Sequence, residues 1–234
     1  MQLFYTNTLQ EGDTVYSFDK EESKHIIKVL RKKEGDILFV TNGLGFLFKT
    51  EIILATEKKC TVSILSKEQK ERDTYHIHLA VAPTKMNERY EWFLEKATEI
   101  GIHEITPIIC DHSERKVLKT ERFEKILQSA MKQSNQYYLP KLNAPVSFKD
   151  FMNTKQQGNL YIAHCEETNK TELKDCITVK ENYILLIGPE GDFSTKEIET
   201  ALQNGYQPVS LGNTRLRTET AGIVACHTFV LANN

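Results

Sequence analysis

A dense group of polar side chains lies near the end of the chain, in the segment Arg215–Ala221. Arg215 and Arg217 stand among a glutamate and two threonines, directly before an apolar stretch. Arginine side chains bind anions and polarise carbonyl oxygens, so this group could stabilise negative charge that develops on a substrate. The alternative is helix capping by Thr218, with Glu219 favoured by the helix dipole. Capping accounts for those two residues but not for both arginines.

A glycine-containing turn, Gly188-Pro-Glu-Gly191, follows the apolar run Tyr183–Ile187. Glycines leave backbone N–H and C=O groups open to a ligand, because no Cβ stands in the way. The spacing matches neither GxxxxGKS/T nor GxGxxG, and the lysine that binds phosphate is missing. We therefore expect a neutral or zwitterionic ligand that is recognised by main-chain groups. A plain strand–turn–helix connection is the alternative.

The composition sets limits on the class of protein. The 234 residues are 40% hydrophobic, and 30 basic against 32 acidic residues give a net charge of −2. These values are typical of a globular protein and exclude a disordered, fibrous or bulk-basic nucleic-acid-binding chain, but not a local basic patch. No apolar run approaches the ~20 residues that span a bilayer. The first residues lack the features of a signal peptide, so we expect a cytoplasmic protein.

The cysteines and histidines do not predict a metal site. The five cysteines are odd in number and widely spaced, without a CxxC pair, which argues against both a disulfide framework and a zinc site. His76 and His78 alternate on one predicted strand face, but no nearby cysteine or carboxylate set completes a ligand group. We therefore expect no bound metal and treat these histidines as structural.

The first part of the chain is predicted to form a small β-barrel. One short helix is expected at Ser23–Leu30, and Asn42–Gly43 with Gly45 indicates a hairpin turn. The polar segment Ser66–Thr74 contains no apolar residue and is the best candidate for a linker. The predicted strands are Gln2–Tyr5, Thr14–Phe18, Asp36–Thr41, Phe46–Leu54 and Thr61–Leu65.

After the linker, strands alternate with helices, which predicts an α/β domain with a mostly parallel sheet. Gly101 is expected to end the first helix, and Ser194 with Glu197 predicts a capping box. Because ligands of such sheets bind at the carboxyl ends of the strands, both polar turns lie where a site is expected. The predicted strands are Ile77–Ala82, Ile105–Ile109, Leu160–His164, Tyr183–Ile187 and Val209–Leu211. The predicted helices are Glu88–Ile100, Glu121–Gln136, Ser194–Gln203 and Thr220–Ala232, the last apolar nearly all round.

With both turns in one chain, the sequence resembles the RsmE family of SPOUT-class methyltransferases. Gly188–Phe193 resembles the family's GPEGG turn, and Leu211–Ala221 resembles its LGxxILRxETA segment. Further matches lie at Lys85 with Arg89–Gly101, at Ser113–Arg115, at Gln133–Ser134 with Leu139–Pro140, and at His25–Arg31. Each match alone is weak, but their order and spacing cover essentially the whole chain.

The resemblance implies an enzyme that transfers a methyl group from S-adenosylmethionine (SAM) to N3 of one uridine in 16S ribosomal RNA, within the small subunit. It implies a PUA-like, RNA-binding β-barrel at residues 1–70 and a SPOUT α/β domain at residues 71–234. It also implies a C-terminal trefoil knot and a homodimer with cofactor sites near the subunit interface. Two alternatives stay open, a SPOUT methyltransferase of transfer RNA and a non-catalytic RNA-binding or ribosome-assembly protein.

The resemblance also assigns roles to residues. Arg217 is expected to stabilise the uridine anion, and Glu219 is expected to act as a base or to orient Arg217. A glutamate beside an arginine is a weak base, which favours electrostatic stabilisation. The residues expected to bind SAM are Leu186, Ile187, Gly188, Glu190, Gly191, Leu211, Gly212, Leu216, Thr218, Thr220 and Ala221.

RNA contacts are expected from two basic stretches, although such stretches are often only solvated faces. Tyr137, Tyr138 and Phe193 are candidates for stacking on an unpaired base. The expected RNA-binding residues are Lys24, Lys28, Arg31, Lys32, Lys33, Lys85, Arg89, Arg115 and Arg122.

Three residues depart from the family pattern. Asp192 stands where glycine is usual, which changes the backbone freedom and adds a negative charge beside the turn. Gln136 stands where arginine is common, and Arg215 stands where isoleucine is usual. Arg217 is therefore a better candidate for the site than Arg215.

Overall fold

The computed structural model describes residues 2–234, which form two compact units. The first unit runs through Arg72 and also includes Met131–Leu139. The second unit contains Asp73–Ala130 and Pro140–Asn234. A segment that lies far along the chain therefore completes the first unit.

The first unit is built on a five-stranded sheet in the order β1-β3-β4-β5-β2. The β1–β3 pair is parallel and the other pairs are antiparallel. Alternate strand residues such as Leu38, Val40 and Phe48 point into a buried core, as the period of two requires. The strands are β1 (Leu3–Tyr5), β2 (Val15–Ser17), β3 (Ile37–Thr41), β4 (Phe46–Ala55) and β5 (Cys60–Gln69).

Two predictions for this unit need correction. The predicted linker Ser66–Thr74 is partly strand, because β5 continues to Gln69, which pairs with Phe46 of β4. Cross-strand pairing extends the strand through its exposed end, Ser66–Gln69, although this part lacks apolar residues. The helix predicted at Ser23–Leu30 starts earlier, as α1 (Lys20–Lys24), because Asp19 caps it, and it continues as a π-helical turn at His25–Val29.

The segment Met131–Leu139 is held to the β3–β4 turn by backbone hydrogen bonds. The Gly45 N–H donates to the Tyr137 carbonyl and the Leu139 N–H donates to the Gly43 carbonyl, each at 2.9 Å. The Tyr138 ring lies so close to Gly45 that an added Cβ would come within 2.3 Å of it. Its hydroxyl donates to the Lys70 carbonyl at 3.0 Å. This side chain is therefore packed in place, and the stacking role suggested for Tyr138 stays a prediction.

The second unit is built on an eight-stranded sheet whose recorded pairs are all parallel. The predicted α/β class with a parallel sheet is confirmed. The path is β11-β13-β10-β12-β6-β7-β8, and β9 also pairs with β7. The strands are β6 (His76–Val81), β7 (Glu104–Ile109), β8 (Lys141–Leu142), β9 (Val146–Ser147), β10 (Asn159–Ala163), β11 (Thr171–Glu172), β12 (Asn182–Ile187) and β13 (Gln207–Ser210). The helices are α2 (Asn87–Ile100), α3 (Thr120–Gln133), α4 (Phe148–Asn153), α5 (Thr195–Gln203) and α6 (Thr218–Asn233), and the last three residues of α3 belong to the first unit.

Local signals predicted the long elements of this unit but not the short ones. Gly101 ends α2 in the left-handed region, with φ of 119°, and Ser194 and Glu197 form the predicted capping box of α5. Strands β8, β9 and β11 have two residues each, too few to show a period, and α4 has six. The predicted helix Glu121–Gln136 ends at Gln133, and Asn135 has a φ of 53°.

Helix α6 is buried against α2, as its apolar sequence predicts. Phe93 of α2 is completely buried, and its ring lies against Gly222 of α6. A Cβ added to Gly222 would lie 2.6 Å from that ring. Two turns further along α6, the Phe229 ring stacks on Tyr183 of β12 with centroids 4.6 Å apart. The start of α6 is therefore positioned by packing along the rest of the helix.

The packing predicts the effect of Gly222→Ala. Helix propensity alone would make alanine more stabilising by about 1 kcal/mol at this position. Because the new methyl group would clash with the buried Phe93 ring, we expect a loss of about 1–3 kcal/mol in the free energy of unfolding. Chemical denaturation measures this change in the free energy of unfolding. Gly12→Ala, where an added Cβ meets nothing within 4 Å, is the control. Unchanged or increased stability of Gly222→Ala contradicts the packing argument.

Candidate active site

A cavity of about 590 Å³ lies at the carboxyl ends of three neighbouring parallel strands. Strand β10 pairs with β12 on one side and with β13 on the other. Ala163, the last residue of β10, lies opposite Ile187 and Val209, and all three line the cavity. The two polar turns follow β12 and β13 directly. Parallel pairing therefore brings them to one edge of the sheet, and the cavity has the size of a small-molecule site.

The turn after β12 is held by hydrogen bonds to two loops, those after β7 and β10. The His112 Nδ1–H donates to the Gly191 carbonyl at 3.1 Å and to the Asp192 carbonyl at 3.0 Å. Since both acceptors are carbonyl oxygens, this nitrogen must carry a hydrogen. The Asp192 carboxylate accepts from the Cys165 N–H at 2.7 Å and from the Phe193 N–H at 2.9 Å. These contacts fix the path of the turn.

The aspartate at position 192 is explained by its backbone. Asp192 has a φ of 65°, in the left-handed region that glycine occupies easily and aspartate tolerates better than most residues. Its side chain compensates for the strain by binding two backbone N–H groups. The departure from the glycine usual in the family therefore has a structural role. The neighbouring Phe193 is buried against Phe148, so its suggested stacking role is not supported.

Glu197, buried in α5, links this turn to the loop after β7. One carboxylate oxygen accepts from the Asp111 N–H and the other from the Ser194 N–H, each at 2.9 Å. The Ser194 hydroxyl also donates to the Asp111 carboxylate at 2.7 Å. The capping box therefore stabilises the helix start and also links it to the loop after β7.

Thr218 joins the two turns. Its hydroxyl donates to the Gly188 carbonyl at 3.0 Å, and this hydrogen bond is buried. The N-cap residue of α6 is Arg217, whose side chain makes no capping hydrogen bond. Capping by Thr218, the alternative explanation of this segment, is therefore wrong. The threonine instead connects the end of β12 to the start of α6.

Eight of the eleven residues expected to bind the cofactor line the cavity. Of the others, Leu186 is in the hydrophobic core, Gly191 lies against His112, and Thr220 lies in the first turn of α6. The lining residues among the eleven are Ile187, Gly188, Glu190, Leu211, Gly212, Leu216, Thr218 and Ala221.

The two proposed catalytic residues have different surroundings. Arg217 is exposed and lines the cavity, and so does Arg215. Glu219 is only 6% exposed, and its Oε1 lies 3.8 Å from Nε of Arg89 in α2. Its Oε2 is buried and has no hydrogen-bond partner. The recorded ionic partner of Glu219 is therefore Arg89, a residue expected to contact RNA.

Two further arginines expected to bind RNA are engaged inside the second unit. Arg115 donates to the carbonyls of Thr84 and Lys85, the shortest bond being 2.7 Å. The Lys85 N–H in turn donates to Oε1 of Glu190, at the rim of the cavity, at 3.0 Å. Arg122 binds the Glu91 carboxylate through two nitrogens. Arg115 therefore positions the backbone at Thr84 and Lys85, and Arg122 positions α2 through Glu91.

The expected RNA-binding residues of the first unit lie around the π-helical turn and are mostly exposed. Arg31, directly after it, has a φ of 56°. Lys32 is half-buried, and its N–H donates to the Ile26 carbonyl. The exposed members are Lys24, Lys28, Arg31 and Lys33.

The sequence analysis missed the loop that follows β10. His164, Cys165 and Lys170 line the cavity, and Lys170 donates to the carbonyls of His164 and Glu166. Burial, the dominant cause, raises the pKa of the Cys165 thiol. A signal was present, because β10 was predicted to end at His164 and ligands bind at carboxyl ends of such strands. The loop has no glycine motif to draw attention to it.

Within residues 2–234, no three histidine, cysteine or acidic side chains are grouped so that they could hold a metal ion. In the same range, no helix has the length and apolar character needed to cross a membrane.

Two family models match the chain. One is described as an RNA methyltransferase domain and matches residues 70–230. The other is described as an RNA methyltransferase PUA domain and matches residues 18–65. Together they cover both parts of the chain that the sequence pattern distinguished.

Similar proteins carry consistent names. "Ribosomal RNA small subunit methyltransferase E" of Buchnera aphidicola is 32% identical over 219 residues, which are 90% of this chain and 85% of that protein. A Porphyromonas gingivalis structure assigned as an rRNA methyltransferase is 41% identical, with a TM-score of 0.88, over 97% of this chain and 95% of that one. A Legionella pneumophila structure, assigned as a methyltransferase with bound cofactor SAM, is 29% identical, with a TM-score of 0.88. The match covers 99% of this chain and 98% of that one.

The link between the two turns can be tested with Thr218→Val. Valine keeps the shape but leaves the buried Gly188 carbonyl without its partner, so we expect a loss of about 1–3 kcal/mol in the free energy of unfolding. Chemical denaturation measures this. Thr228→Val, in the same helix, is the control, because Thr228 donates to the carbonyl four residues earlier in that helix. Equal losses in the two variants contradict a special role for Thr218.

Proposed function

The chain belongs to the ribosomal RNA small subunit methyltransferase E family of RNA methyltransferases, and we propose that it transfers a methyl group from SAM to N3 of one uridine in 16S ribosomal RNA. The observation that carries the proposal is a single cavity lined by both glycine-containing turns and by Arg217. Most of its walls come from the two segments that carry the family pattern, and the loop after β10 supplies the rest.

The cavity fits SAM by its size and lining. A volume of about 590 Å³ lies within the range of small-molecule and cofactor sites. Gly188 and Gly212 present backbone groups, while Ile187, Leu211 and Leu216 supply apolar surface for an adenine ring. A ligand with apolar and hydrogen-bonding parts suits this lining. We propose these residues, with Glu190, Thr218 and Ala221, as the SAM-binding set.

Arg217 is proposed to stabilise the charge that develops on the base. When bound, SAM supplies a methyl group from its positively charged sulfur. Uridine N3 carries a proton and is a poor nucleophile until that proton leaves. The resulting negative charge spreads over O2 and O4 of the base, where a guanidinium can donate hydrogen bonds. Arg217 is exposed at the cavity and makes no capping bond, so its donors are available for this contact.

Glu219 is proposed to position the start of α6 rather than to act as the base. Its side chain is buried and lies beside Arg89 of α2. Its place in the first turn of α6 also favours a negative charge, because the helix dipole is positive there. Its carboxylate is therefore engaged with α2 and is not proposed to take the proton. The proton at N3 would then leave to solvent.

The domain roles are part of the proposal. Residues 1–70 would bind RNA as a PUA-like domain, and residues 71–234 would bind SAM and carry out the transfer. The match to a PUA domain at residues 18–65 supports the first assignment. The basic residues Lys24, Lys28, Arg31, Lys32 and Lys33 would then contact phosphates.

We also propose that the enzyme works as a homodimer in the cytoplasm, on RNA within the small ribosomal subunit. Helices α2 and α6 pack together and each exposes a large apolar side chain, Trp92 and Leu231, which supports a subunit interface there. The trefoil knot implied by the family resemblance is proposed for the C-terminal part of the chain.

Mass spectrometry of nucleosides tests the proposed reaction. The purified protein is incubated with SAM and with small ribosomal subunits from cells that lack its gene. We expect new N3-methyluridine in 16S RNA. A methylated nucleoside only in transfer RNA would overturn the substrate assignment. No methylation of any RNA, with intact SAM binding, would overturn the proposed reaction.

Arg217→Ala should separate catalysis from binding. Removal of a donor to a developing anion is expected to lower the rate of methyl transfer by a factor of about 10²–10³, with SAM affinity changed little. Transfer is followed with radiolabelled SAM and affinity by calorimetry. Arg215→Ala, a neighbouring exposed arginine at the same cavity, is the matched control and should keep most of the activity. Near-normal turnover by Arg217→Ala would refute this role.

Glu219→Gln distinguishes a positioning residue from a base. A general base contributes about 10²–10⁴ to the rate, so its loss would be visible at that scale. Since Glu219 is paired with Arg89, we expect less than a tenfold reduction with an unchanged pH–rate profile. Arg89→Gln, which removes the other partner, should give a similar modest effect. A loss of a hundredfold or more in Glu219→Gln alone would identify the carboxylate as the base.

A further inference from the structure

The loop after β10, residues 164–170, is held in place by side chains rather than by its own backbone. Within these residues no hydrogen bond joins one backbone group to another. His164, Cys165 and Lys170 of this loop line the cavity. Because β10 pairs with β12 on one side and with β13 on the other, the loop leaves the sheet between the two polar turns. Its conformation therefore sets the shape of one wall of the cavity.

Lys170 binds two carbonyl groups at the start of this loop. Its Nζ donates to the His164 carbonyl at 2.9 Å and to the Glu166 carbonyl at 2.8 Å. Hydrogen bonds from a charged donor are about twice as strong as neutral ones. The side chain is half-buried, which reduces screening of its charge by salt. A single lysine thus closes the loop by binding the end of the chain segment to its beginning.

Asp192 holds the same peptide group from its other side. The His164 carbonyl and the Cys165 N–H belong to one planar trans peptide, in which the two groups point in opposite directions. The carbonyl accepts from Lys170, and the N–H donates to the Asp192 carboxylate at 2.7 Å. An ammonium and a carboxylate therefore hold one peptide group between them. Each of these hydrogen bonds polarises the group and strengthens the other.

Asp192 carries this constraint into the turn after β12. Its other carboxylate oxygen accepts from the Phe193 N–H within that turn. A second contact joins the same two segments of the chain, because the Thr195 hydroxyl donates to the Glu166 carboxylate at 2.8 Å. The loop after β10 is thus connected at two points to the turn and to the start of α5. Lys170 binds a carbonyl group at each of these two points.

We propose that Lys170 is a positioning residue for the cofactor, which fixes the wall between the two polar turns in the shape that binds SAM. This inference rests on the proposed function and adds to it a residue outside both turns. The lysine needs no contact with SAM, because it acts through the peptide group that it holds. Its loss should therefore weaken SAM binding and leave the transfer step at Arg217 unchanged.

Lys170→Met tests the proposal, because methionine keeps an unbranched side chain but has no N–H donor. Loss of both hydrogen bonds is expected to raise the dissociation constant and the KM for SAM roughly tenfold. We expect kcat at saturating SAM to change by less than about twofold. Calorimetry measures the dissociation constant, and methyl transfer to small ribosomal subunits measures KM and kcat.

Two further variants complete this experiment. Lys170→Arg keeps the charge and the donors, so it should recover part of the affinity for SAM. Lys174→Met removes an exposed lysine four residues further along the chain and is the matched control. It makes the same change in net charge and should alter neither the dissociation constant nor KM.

A double-mutant cycle tests the connection through Asp192. Asp192→Asn removes the negative charge and suits the same left-handed backbone. If Lys170 and Asp192 hold one peptide group, the double variant should weaken SAM binding by less than the product of the two single effects. Hydrogen exchange gives a measurement without SAM. The Cys165 amide should exchange faster in Lys170→Met than in the wild-type protein, because its peptide group is then held from one side only.

The outcomes distinguish this inference from the proposed function. Unchanged SAM affinity in Lys170→Met would overturn the positioning role and leave the proposed function intact. A lower kcat with an unchanged KM would also overturn it, because the lysine would then act on the reaction itself. Should Lys170→Met not fold, Lys170→Gln takes its place with the same criteria. If the wild-type protein does not bind SAM, the proposed function fails and the role of Lys170 toward the cofactor fails with it, whatever the exchange rate of the Cys165 amide.

Discussion

The buried hydrogen bond between the Thr218 hydroxyl and the Gly188 carbonyl is the contact on which the site depends. It joins the turn after β12 to the start of α6, two segments thirty residues apart in the chain. The backbone groups of both turns can face one cavity only while this distance is kept. Packing of α6 stabilises the same geometry. Gly222 of α6 packs against Phe93 of α2, and Phe229 of α6 packs against β12.

Carboxylates around the cavity act mainly as acceptors for backbone N–H groups. Glu190, Asp192 and Glu197 each accept at least one such bond from a neighbouring loop. Their negative charge is therefore used to hold loops in place, while the exposed Arg215 and Arg217 supply positive charge at the cavity. This division suits a reaction in which a substrate becomes anionic as it reacts.

The basic residues divide in a similar way. Arg89, Arg115 and Arg122 bind groups of the protein, whereas the basic residues near the π-helical turn are mostly exposed. A guanidinium with several donors can bridge a carbonyl or a carboxylate to the next element, which a solvated lysine does not do. These three arginines thus hold neighbouring elements of the second unit in place, and a nucleic-acid contact is better sought among the exposed side chains.

The sequence alone determined the α/β class, the long strands and helices, and the two turns, because these follow from local periodicity, glycines and capping residues such as Ser194 and Glu197. It could not predict β8, β9 and β11, which are too short for a period, or the extension of β5 to Gln69, which depends on pairing with β4. Only the tertiary structure decided that Glu219 meets Arg89, that Thr218 binds Gly188, and that His164 is buried without a partner. Those contacts join residues far apart in the chain, and a local pattern carries no information about which distant group will lie within hydrogen-bonding distance.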